Sequence, residues 1–196
     1  APDPGTPLTD SAGALRDLMT AGKTRCVGVS NLTREQLETF HAFCPIAAFQ
    51  PPYSMLQRQI ERDTLPWCRQ HGVAVVVYWP LLKGLLAGQL PRNYAFPPRD
   101  GRAKYVMFQG EEWQKNQDFV DCLRQIAQDI GKTVAQVAIN WTIHQPGITA
   151  TLCGAKRPYQ IIETAGAMGW HLDDPALRRI DAALAARGEP ASTPAV

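Results

Sequence analysis

The stretch spanning residues 72–88, G-V-A-V-V-V-Y-W-P-L-L-K-G-L-L-A-G, constrains the fold of this chain most strongly. Its apolar, β-branched run at residues 73–77 is typical of a strand that is buried on both faces, as in a parallel sheet. The glycines that follow allow the backbone to approach a ligand closely. In parallel α/β folds ligands bind at the carboxyl ends of strands, so Tyr78 and Trp79 are the first candidate site residues.

Three further short apolar runs, at residues 24–30, 45–50 and 148–153, are also predicted to be strands. Amphipathic segments separate them, and this repeated αβ order predicts a parallel sheet with right-handed crossovers. The predicted helix-capping residues are Asp10 or Ser11, Thr33 with Gln36, Thr64, Thr133, and Asp173 or Asp174. Four strands allow a small doubly wound sheet or half of an eight-stranded barrel, and the pattern alone leaves both open. A long polar loop at residues 90–110 is expected to be functional.

The composition limits the classes of function. The chain has 196 residues, 45% of them hydrophobic and 19% charged, which predicts a globular domain. A net charge of +2 argues against nucleic acid or a membrane surface as partner. No apolar run is long enough to span a bilayer. The first residues lack the basic and apolar regions of a signal peptide, and the missing initiator Met indicates a fragment or a processed chain.

Cysteine and histidine spacing argues against disulfide and metal sites. The five cysteines are odd in number and contain no CxxC pair. Cys26 and Cys153 lie in apolar runs and are expected to be buried, and a reducing, cytoplasmic compartment fits best. The four histidines lack metal-ligand spacing, so no metal is predicted.

Polar or aromatic residues recur at the predicted strand ends. Asn and Gln amides there could hold a planar carboxamide, and an aromatic ring could stack on a flat heterocycle. Glycine-bearing loops, a helix start at Pro158 and two cations could bind phosphate. This set matches a nicotinamide dinucleotide. It consists of Ser30, Asn31, Gln50, Tyr78, Trp79, Gly154, Ala155, Lys156 and Arg157.

Each of these signals also has an ordinary structural interpretation. A Ser-Asn pair after a strand is more often a helix cap, and Gln50 precedes two prolines as a turn residue would. Aromatic residues commonly fill the core, and Lys156 with Arg157 is typical of a solvated surface. No G-x-S-x-G, P-loop or G-x-G-x-x-G motif is present. Recurrence at successive strand ends is what favours a site.

Several motifs are shared with a known family. They are G-K-T-R-C-V-G-V-S-N-L-T, A-A-F-Q-P-P-Y-S-M-L-Q-R-Q-I-E-R, V-V-V-Y-W-P-L-L-K-G-L-L-A-G, V-A-Q-V-A-I-N-W and G-I-T-A-T-L-C-G-A-K-R-P-Y-Q-I-I-E-T. In order and spacing the chain resembles the aldo-keto reductase family over nearly all its length. The resemblance implies a (β/α)8 TIM barrel that binds NADP(H) and reduces small-molecule aldehydes or ketones.

The resemblance also implies a role for each site position. Ser30, Asn31 and Gln50 would hold the nicotinamide carboxamide, and Tyr78 would stack on its ring. The pyrophosphate loop would comprise Trp79, Pro80, Leu81, Leu82, Gly84 and Leu86. Arg102 would clamp the cofactor. The adenosine side would be bound by Gly154, Ala155, Lys156, Gln160, Glu163 and Thr164. The family usually has a small Ser at position 79, a Lys at 89 and an Asn at 164.

The catalytic residues of the family have no counterpart here. Members use a Tyr general acid with Lys, Asp and His from the first four strands, whereas the first residues here resemble the segment after the fourth strand. We therefore expect the C-terminal half of the barrel at residues 1–188, a frayed tail at 189–196, and no catalytic residue. Exposed half-barrel edges predict self-association. The alternatives are a non-catalytic NADP(H)-binding or regulatory module and a phosphate-binding lyase or isomerase barrel.

Overall fold

The computed structural model describes residues 2–191, which divide into two compact units. The first unit comprises residues 2–53, Arg58–Tyr78 and Gln145–Leu152. The second comprises Ser54–Gln57, Trp79–His144 and residues 153–191. The chain therefore passes between the two units at several points, one of which lies between Tyr78 and Trp79.

The first unit contains three α-helices, a 3-10 helix at Gln59–Glu61 and four strands. In chain order the α-helices and strands are α1 (Leu8–Thr20), β1 (Gly28–Ser30), α2 (Arg34–Phe43), β2 (Ala48–Gln50), α3 (Thr64–Gln70), β3 (Ala74–Tyr78) and β4 (Ala150–Leu152). All pairings in the sheet are parallel, which confirms the sequence prediction. The strand order is β1-β2-β3-β4. This sequential order is that of a barrel wall, because a doubly wound sheet has a point where the order reverses.

The two faces of the sheet differ in burial. Phe49, Val75 and Val77 are buried on one face. On the other face Val76 and Tyr78 are only half-buried. The prediction that residues 73–77 are buried on both faces is therefore wrong for one face. Side chains point alternately to the two faces along a strand, so every second residue of β3 lies on the less buried face.

The second unit is mainly helical. It contains α4 (Gly110–Asp129), α5 (Val134–Ile143), α6 (Pro158–Ala165) and α7 (Asp174–Arg187). Short 3-10 helices lie at Leu82–Ala87, Gly101–Lys104 and Val106–Phe108. Helices α4 and α7 are joined by a buried ion pair, in which Arg187 contacts Glu112 and donates to Asn116 Oδ1 at 2.8 and 3.0 Å.

Most predicted helix caps are confirmed. Thr33 and Thr133 each form a capping box with the Gln three residues later, and Asp173 accepts from the Ala176 N–H at 2.8 Å. Two predictions are wrong. Helix α1 begins after Pro7 without a side-chain cap, so neither Asp10 nor Ser11 is its cap. Helix α3 is capped by Asp63, whose carboxylate accepts from the Thr64 N–H.

The strands are shorter than predicted, and one cysteine is misplaced. Strands β1, β2 and β4 have three residues each, because the runs that precede them are irregular. Cys26 lies in such an irregular run and is exposed, contrary to the prediction. Cys153 is half-buried, and this burial raises the pKa of its thiol to about 11.

The predicted C-terminal tail falls largely outside the described residues. Residues 192–196 are not described, whereas the Ala191 N–H donates to Glu112 at 2.9 Å. The domain boundary at residue 188 stays a prediction. Within residues 2–191, no helix has the length and apolar character needed to cross a membrane.

Candidate functional site

Each unit contains one group of the predicted site residues. In the first unit, Ser30 ends β1 and its hydroxyl donates to the Gln50 carbonyl oxygen at 2.7 Å. The next residue, Asn31, has a φ of 58°, a left-handed conformation that Asn tolerates better than most residues. This turn presents the Asn31 side chain at the carboxyl end of the sheet, as the sequence predicts.

Tyr78 lies at the end of β3 and is joined to Asn31. Its hydroxyl donates to Asn31 Oδ1 at 2.9 Å. Because Oδ1 already accepts this bond, the Nδ2 group of Asn31 can donate to a ligand oxygen. Partial burial raises the pKa of Tyr78, and the hydrogen bond with Asn31 opposes that rise. The phenol is therefore neutral at physiological pH, and its half-buried ring can present a flat surface.

A cavity of about 910 Å3 borders this group of residues. Ser30, Gln50 and Val76 line it from the sheet, and Gln36 and Phe40 line it from α2. The structure therefore brings Ser30 and Gln50 to one cavity. It joins Tyr78 to Asn31 by a hydrogen bond, but neither of these two residues is among those that line the cavity.

In the second unit, the turn after β3 has an unusual backbone. Trp79, Leu82 and Lys83 have φ values of 63°, 44° and 56°, and Gly84 has a φ of 93°. Such conformations cost about 1–3 kcal/mol each in non-glycine residues, and they cluster at ligand-binding sites. The turn is held by backbone bonds from Leu82 N to Trp79 O and from Gly84 N to Leu81 O, both of 2.8 Å.

Arg102 lies against this turn. A Cβ atom at Gly84 would be 3.3 Å from Arg102 Nη1, and Nη1 donates to the Lys83 carbonyl oxygen at 3.4 Å. Asp100 holds the guanidinium through an ion pair of 2.7 Å. The Arg102 bonds, and more weakly the charge of Lys156, lower the pKa of Asp100 to about 2. Arg102, which the family resemblance predicts to clamp the cofactor, is therefore fixed at the turn.

Lys83 has a structural contact that the sequence analysis missed. Its ammonium lies 3.4 Å from the Trp79 ring centroid and 4.3 Å from that of Tyr105. A cation between two aromatic faces is stabilised by both rings. Position 79, where the family usually has a small Ser, thus has an aromatic residue that contacts a neighbouring cation. This contact connects the turn to the loop at residues 90–110.

The start of α6 contains the other predicted site residues of the second unit. Gln160 Oε1 accepts from the backbone N–H groups of Lys156 and Arg157 at 2.7 and 3.0 Å. Gln136 Nε2 donates to the Glu163 carbonyl oxygen at 3.0 Å, which fixes α6 to α5. Gln136 and Asp100 contact predicted site residues, and the sequence prediction indicated neither of them in that role. Two features of the sequence could have indicated them. Gln136 lies three residues after the capping residue Thr133, and Asp100 lies two residues before Arg102.

These residues border a cavity of about 730 Å3 in the second unit. Its lining includes seven predicted site residues: Leu81, Gly84, Arg102, Gly154, Gln160, Glu163 and Thr164. Leu82 and Leu86 are instead buried, so only their backbone could meet a ligand. Pro80 is also buried, whereas Ala155 and Lys156 are exposed near the start of α6. In the described part of the chain, no group of three or more His, Cys, Asp or Glu side chains could hold a metal ion.

Comparison with known proteins agrees with this arrangement. The pattern described as the aldo/keto reductase family matches residues 1–185. Aldo-keto reductase YhdN of Bacillus subtilis is 34% identical over 88% of this chain and 52% of that protein. The NADH-specific methylglyoxal reductase of Escherichia coli is 31% identical over 86% of this chain and 51% of that protein. The structure of glycerol dehydrogenase AKR11B4 from Gluconobacter oxydans matches with a TM-score of 0.89 and 34% identity, covering 100% of this chain and 59% of that one.

These matches establish the class of protein. The chain belongs to the aldo/keto reductase family. It spans about half the length of the curated relatives that it matches.

Proposed function

We propose that this chain supplies the NADP(H)-binding residues of an oxidoreductase that reduces aldehydes or ketones to alcohols. Membership of the aldo/keto reductase family supports a nicotinamide cofactor and a small-molecule carbonyl substrate. The observation that carries the proposal is the position of Arg102 at the second-unit cavity, where its Nη1 donates to the Lys83 carbonyl oxygen at 3.4 Å and would be 3.3 Å from a Cβ atom at Gly84. A cation held beside a glycine turn with left-handed backbone is suited to a diphosphate.

In the first unit, the proposed ligand part is the nicotinamide. Asn31 Nδ2 would donate to the carboxamide oxygen, and the Ser30 and Gln50 side chains would complete that contact. The Tyr78 ring would stack on the heterocycle, and its hydrogen bond with Asn31 would hold the ring in place.

In the second unit, the proposed ligand part is the pyrophosphate with the adenosine. Backbone groups of the turn from Trp79 to Leu86 and the guanidinium of Arg102 would contact the pyrophosphate. Lys156, Gln160 and the backbone of Gly154 and Ala155 would surround the 2′-phosphate side. Glu163 and Thr164 would face the adenine. The cations near the start of α6 favour NADP(H) over NAD(H), because only NADP(H) has the additional phosphate.

The chemistry of the proposed reaction requires a hydride and a proton. NADPH, when bound, supplies the hydride to the carbonyl carbon, and a general acid gives the proton to the carbonyl oxygen. We assign no catalytic residue to this chain. Tyr53 in particular is fully buried and donates to Glu61 at 2.5 Å, so it does not have the exposure that a general acid needs. The chain alone is proposed to bind cofactor without turning substrate over.

We further propose that β1–β4 correspond to the C-terminal half of the family's eight-stranded barrel. The sequential order of the strands and the half-length of the matches support this. Self-association through the sheet edges is part of the proposal. The five cysteines are free, which is compatible with the predicted reducing, cytoplasmic compartment.

A non-catalytic cofactor-binding or regulatory module is the second candidate. The buried position of Tyr53 favours it, because a side chain without solvent exposure cannot give a proton to a bound substrate. Under this alternative, bound NADP(H) would stabilise the chain without being consumed.

An activity assay combined with a binding assay tests the proposal. The purified chain is incubated with NADPH and a panel of aldehydes, and NADPH oxidation is followed by absorbance. Calorimetric titration measures NADPH binding in parallel. We expect saturable binding and no turnover. Robust turnover would show that the chain does contain a catalytic residue. If neither NADPH nor NADH bound to the chain, the cofactor assignment would be wrong.

A further inference from the structure

The first unit contains a smaller cavity, of about 190 Å3, beside helix α3. Its walls come from α3, from the 3-10 helix at Gln59–Glu61, from Tyr53 and from the turn that leads into β4. All of its lining residues belong to the first unit, and none is a predicted site residue. Pockets for cofactors and drug-sized ligands are typically about 300–1,000 Å3. This cavity therefore suits a smaller molecule.

The carboxylate in the lining, that of Glu61, is occupied by two neighbouring residues. The Tyr53 hydroxyl donates to Glu61 Oε1 at 2.5 Å. Arg58 donates from Nε to the same oxygen at 2.8 Å and from Nη2 to Oε2 at 2.9 Å. Burial, and secondarily Glu61, raise the pKa of Tyr53, so its hydroxyl keeps the proton that it donates. The negative charge of Glu61 is therefore compensated before any ligand binds.

Arg69 is the other charged residue of the lining, and its guanidinium makes no ion pair within residues 2–191. Its stem packs against Gly147, where a Cβ atom would be 2.9 Å from Arg69 Cγ and 2.8 Å from Cδ. Gly147 has a φ of 96°, a left-handed conformation that glycine adopts readily. This contact restricts the stem of Arg69 beside the cavity. Because Arg69 is exposed, a ligand can reach it from solvent.

The apolar part of the lining consists of one leucine and two prolines. Leu65 is buried in α3, whereas Pro66 and Pro146 are exposed. Proline has no backbone N–H, so these two residues add no donor. Contact with these side chains would remove a short hydrocarbon chain from water, which is favourable. The cavity thus combines one unpaired cation with an apolar wall.

We propose that this cavity binds a small organic monocarboxylate, with the carboxylate on Arg69 and the hydrocarbon part against the apolar wall. A guanidinium can pair with both oxygens of a carboxylate, and Gln145 adds a side-chain amide to the same lining. A single unpaired cation favours one negative charge over a dianion such as phosphate, because the second charge would stay uncompensated. This inference does not depend on the proposed function.

Two-dimensional NMR of the isotope-labelled full chain, titrated with sodium butyrate, tests the proposal. We expect the side-chain N–H signals of Arg69 and Gln145 to shift and to saturate. Butyramide has the same hydrocarbon part without the charge, and it should cause no saturable shift. Sodium phosphate distinguishes a carboxylate site from a general anion site, and its Kd should be at least about tenfold higher than that of butyrate.

Two variants test the assigned contacts. Arg69→Gln removes the cation and should raise the butyrate Kd about tenfold or more. Gln145→Glu, made independently, adds a like charge to the lining and should also weaken binding. Arg25→Gln is the matched control, because Arg25 is an exposed arginine of the same unit outside the lining, and it should leave the Kd unchanged.

Circular dichroism of each variant separates loss of binding from loss of fold. A folded Arg69→Gln chain that binds butyrate with unchanged Kd would overturn the proposal. Absence of saturable shifts in the wild-type chain would overturn it as well. An equal response to butyramide, or phosphate binding as tight as that of butyrate, would show that the cavity does not select a monocarboxylate.

Discussion

The hydroxyl of Tyr78 donates a hydrogen bond of 2.9 Å to the side-chain oxygen of Asn31. This bond joins the end of β3 to the residue that follows β1, across the intervening strand β2. It connects two residues to which the proposal gives different tasks, ring stacking and carboxamide binding. The relationship leads directly to a test of which part of Tyr78 matters for binding.

Replacing Tyr78 by Phe removes the hydroxyl and keeps the ring. We expect the free energy of unfolding to fall by about 1 kcal/mol, because one net hydrogen bond is lost. NADPH affinity should change little, whereas Tyr78→Ala should weaken it about tenfold through loss of stacking. Urea unfolding and fluorescence titration measure the two effects. Equal losses of affinity in Tyr78→Phe and Tyr78→Ala would show that the ring is not the binding determinant.

Gly84→Ala tests the turn. Its φ of 93° is unfavourable for any side chain, and the new methyl would crowd Arg102 Nη1 at 3.3 Å. We expect a loss of about 1 kcal/mol or more in stability together with weaker NADPH binding. Gly13→Ala is the control, because Gly13 lies within α1 and a Cβ there meets nothing within 4 Å. That change should increase stability by about 0.5–1 kcal/mol and leave binding unchanged.

The ion pair of Asp100 with Arg102 predicts a defined pH dependence. The folded-state pKa of Asp100 is about 2, below its ordinary value of 3.8. A lowered pKa stabilises the fold above the ordinary value, and this contribution is lost as pH falls from about 4 to about 2. The stability difference between wild type and Asp100→Asn should therefore shrink in this range and stay constant above it. In an Arg102→Gln background the pH dependence should largely disappear, and its full persistence would contradict the assigned cause.

The buried pair of Arg187 and Glu112 predicts a large stability effect. The Arg187 side chain is 1% exposed, and that of Glu112 is 14% exposed. Glu112→Ala would leave the guanidinium with Asn116 but without its counter-charge, and we expect a loss of about 3–5 kcal/mol. Arg178→Ala, on the exposed side of α7, should change stability by less than about 0.5 kcal/mol. Similar effects in thermal or urea unfolding of the two variants would contradict the structural role of the pair.

Local sequence patterns predicted the parts of the fold that depend on local chemistry. The capping boxes at Thr33 and Thr133 were predictable, because both partners lie three residues apart. The cap at Asp63 was missed, since the adjacent Thr64 is an equally good capping residue type. The one-sided burial of β3 could not be predicted, because an unbroken apolar run does not show which face is covered.

The candidate site likewise combines features that the local sequence predicts with contacts that it does not predict. The strand-end positions of Ser30, Asn31 and Tyr78 followed from the order of the elements, whereas the bond between Tyr78 and Asn31 links residues 47 positions apart. The contact of Lys83 with Trp79 and Tyr105 depends on left-handed backbone at Trp79 and Lys83. Neither residue type favours that conformation, so no local pattern could have predicted the contact.

A fluorescence titration of the isolated chain with NADPH tests the central claim most directly. We predict saturable binding of one NADPH per chain, weakened about tenfold or more by Arg102→Gln. Arg99→Gln should leave it unchanged, because Arg99 is an exposed cation in the same loop. Absence of saturable binding, or an equal loss in both variants, would contradict the claim that this chain holds a cofactor-binding site built around Arg102.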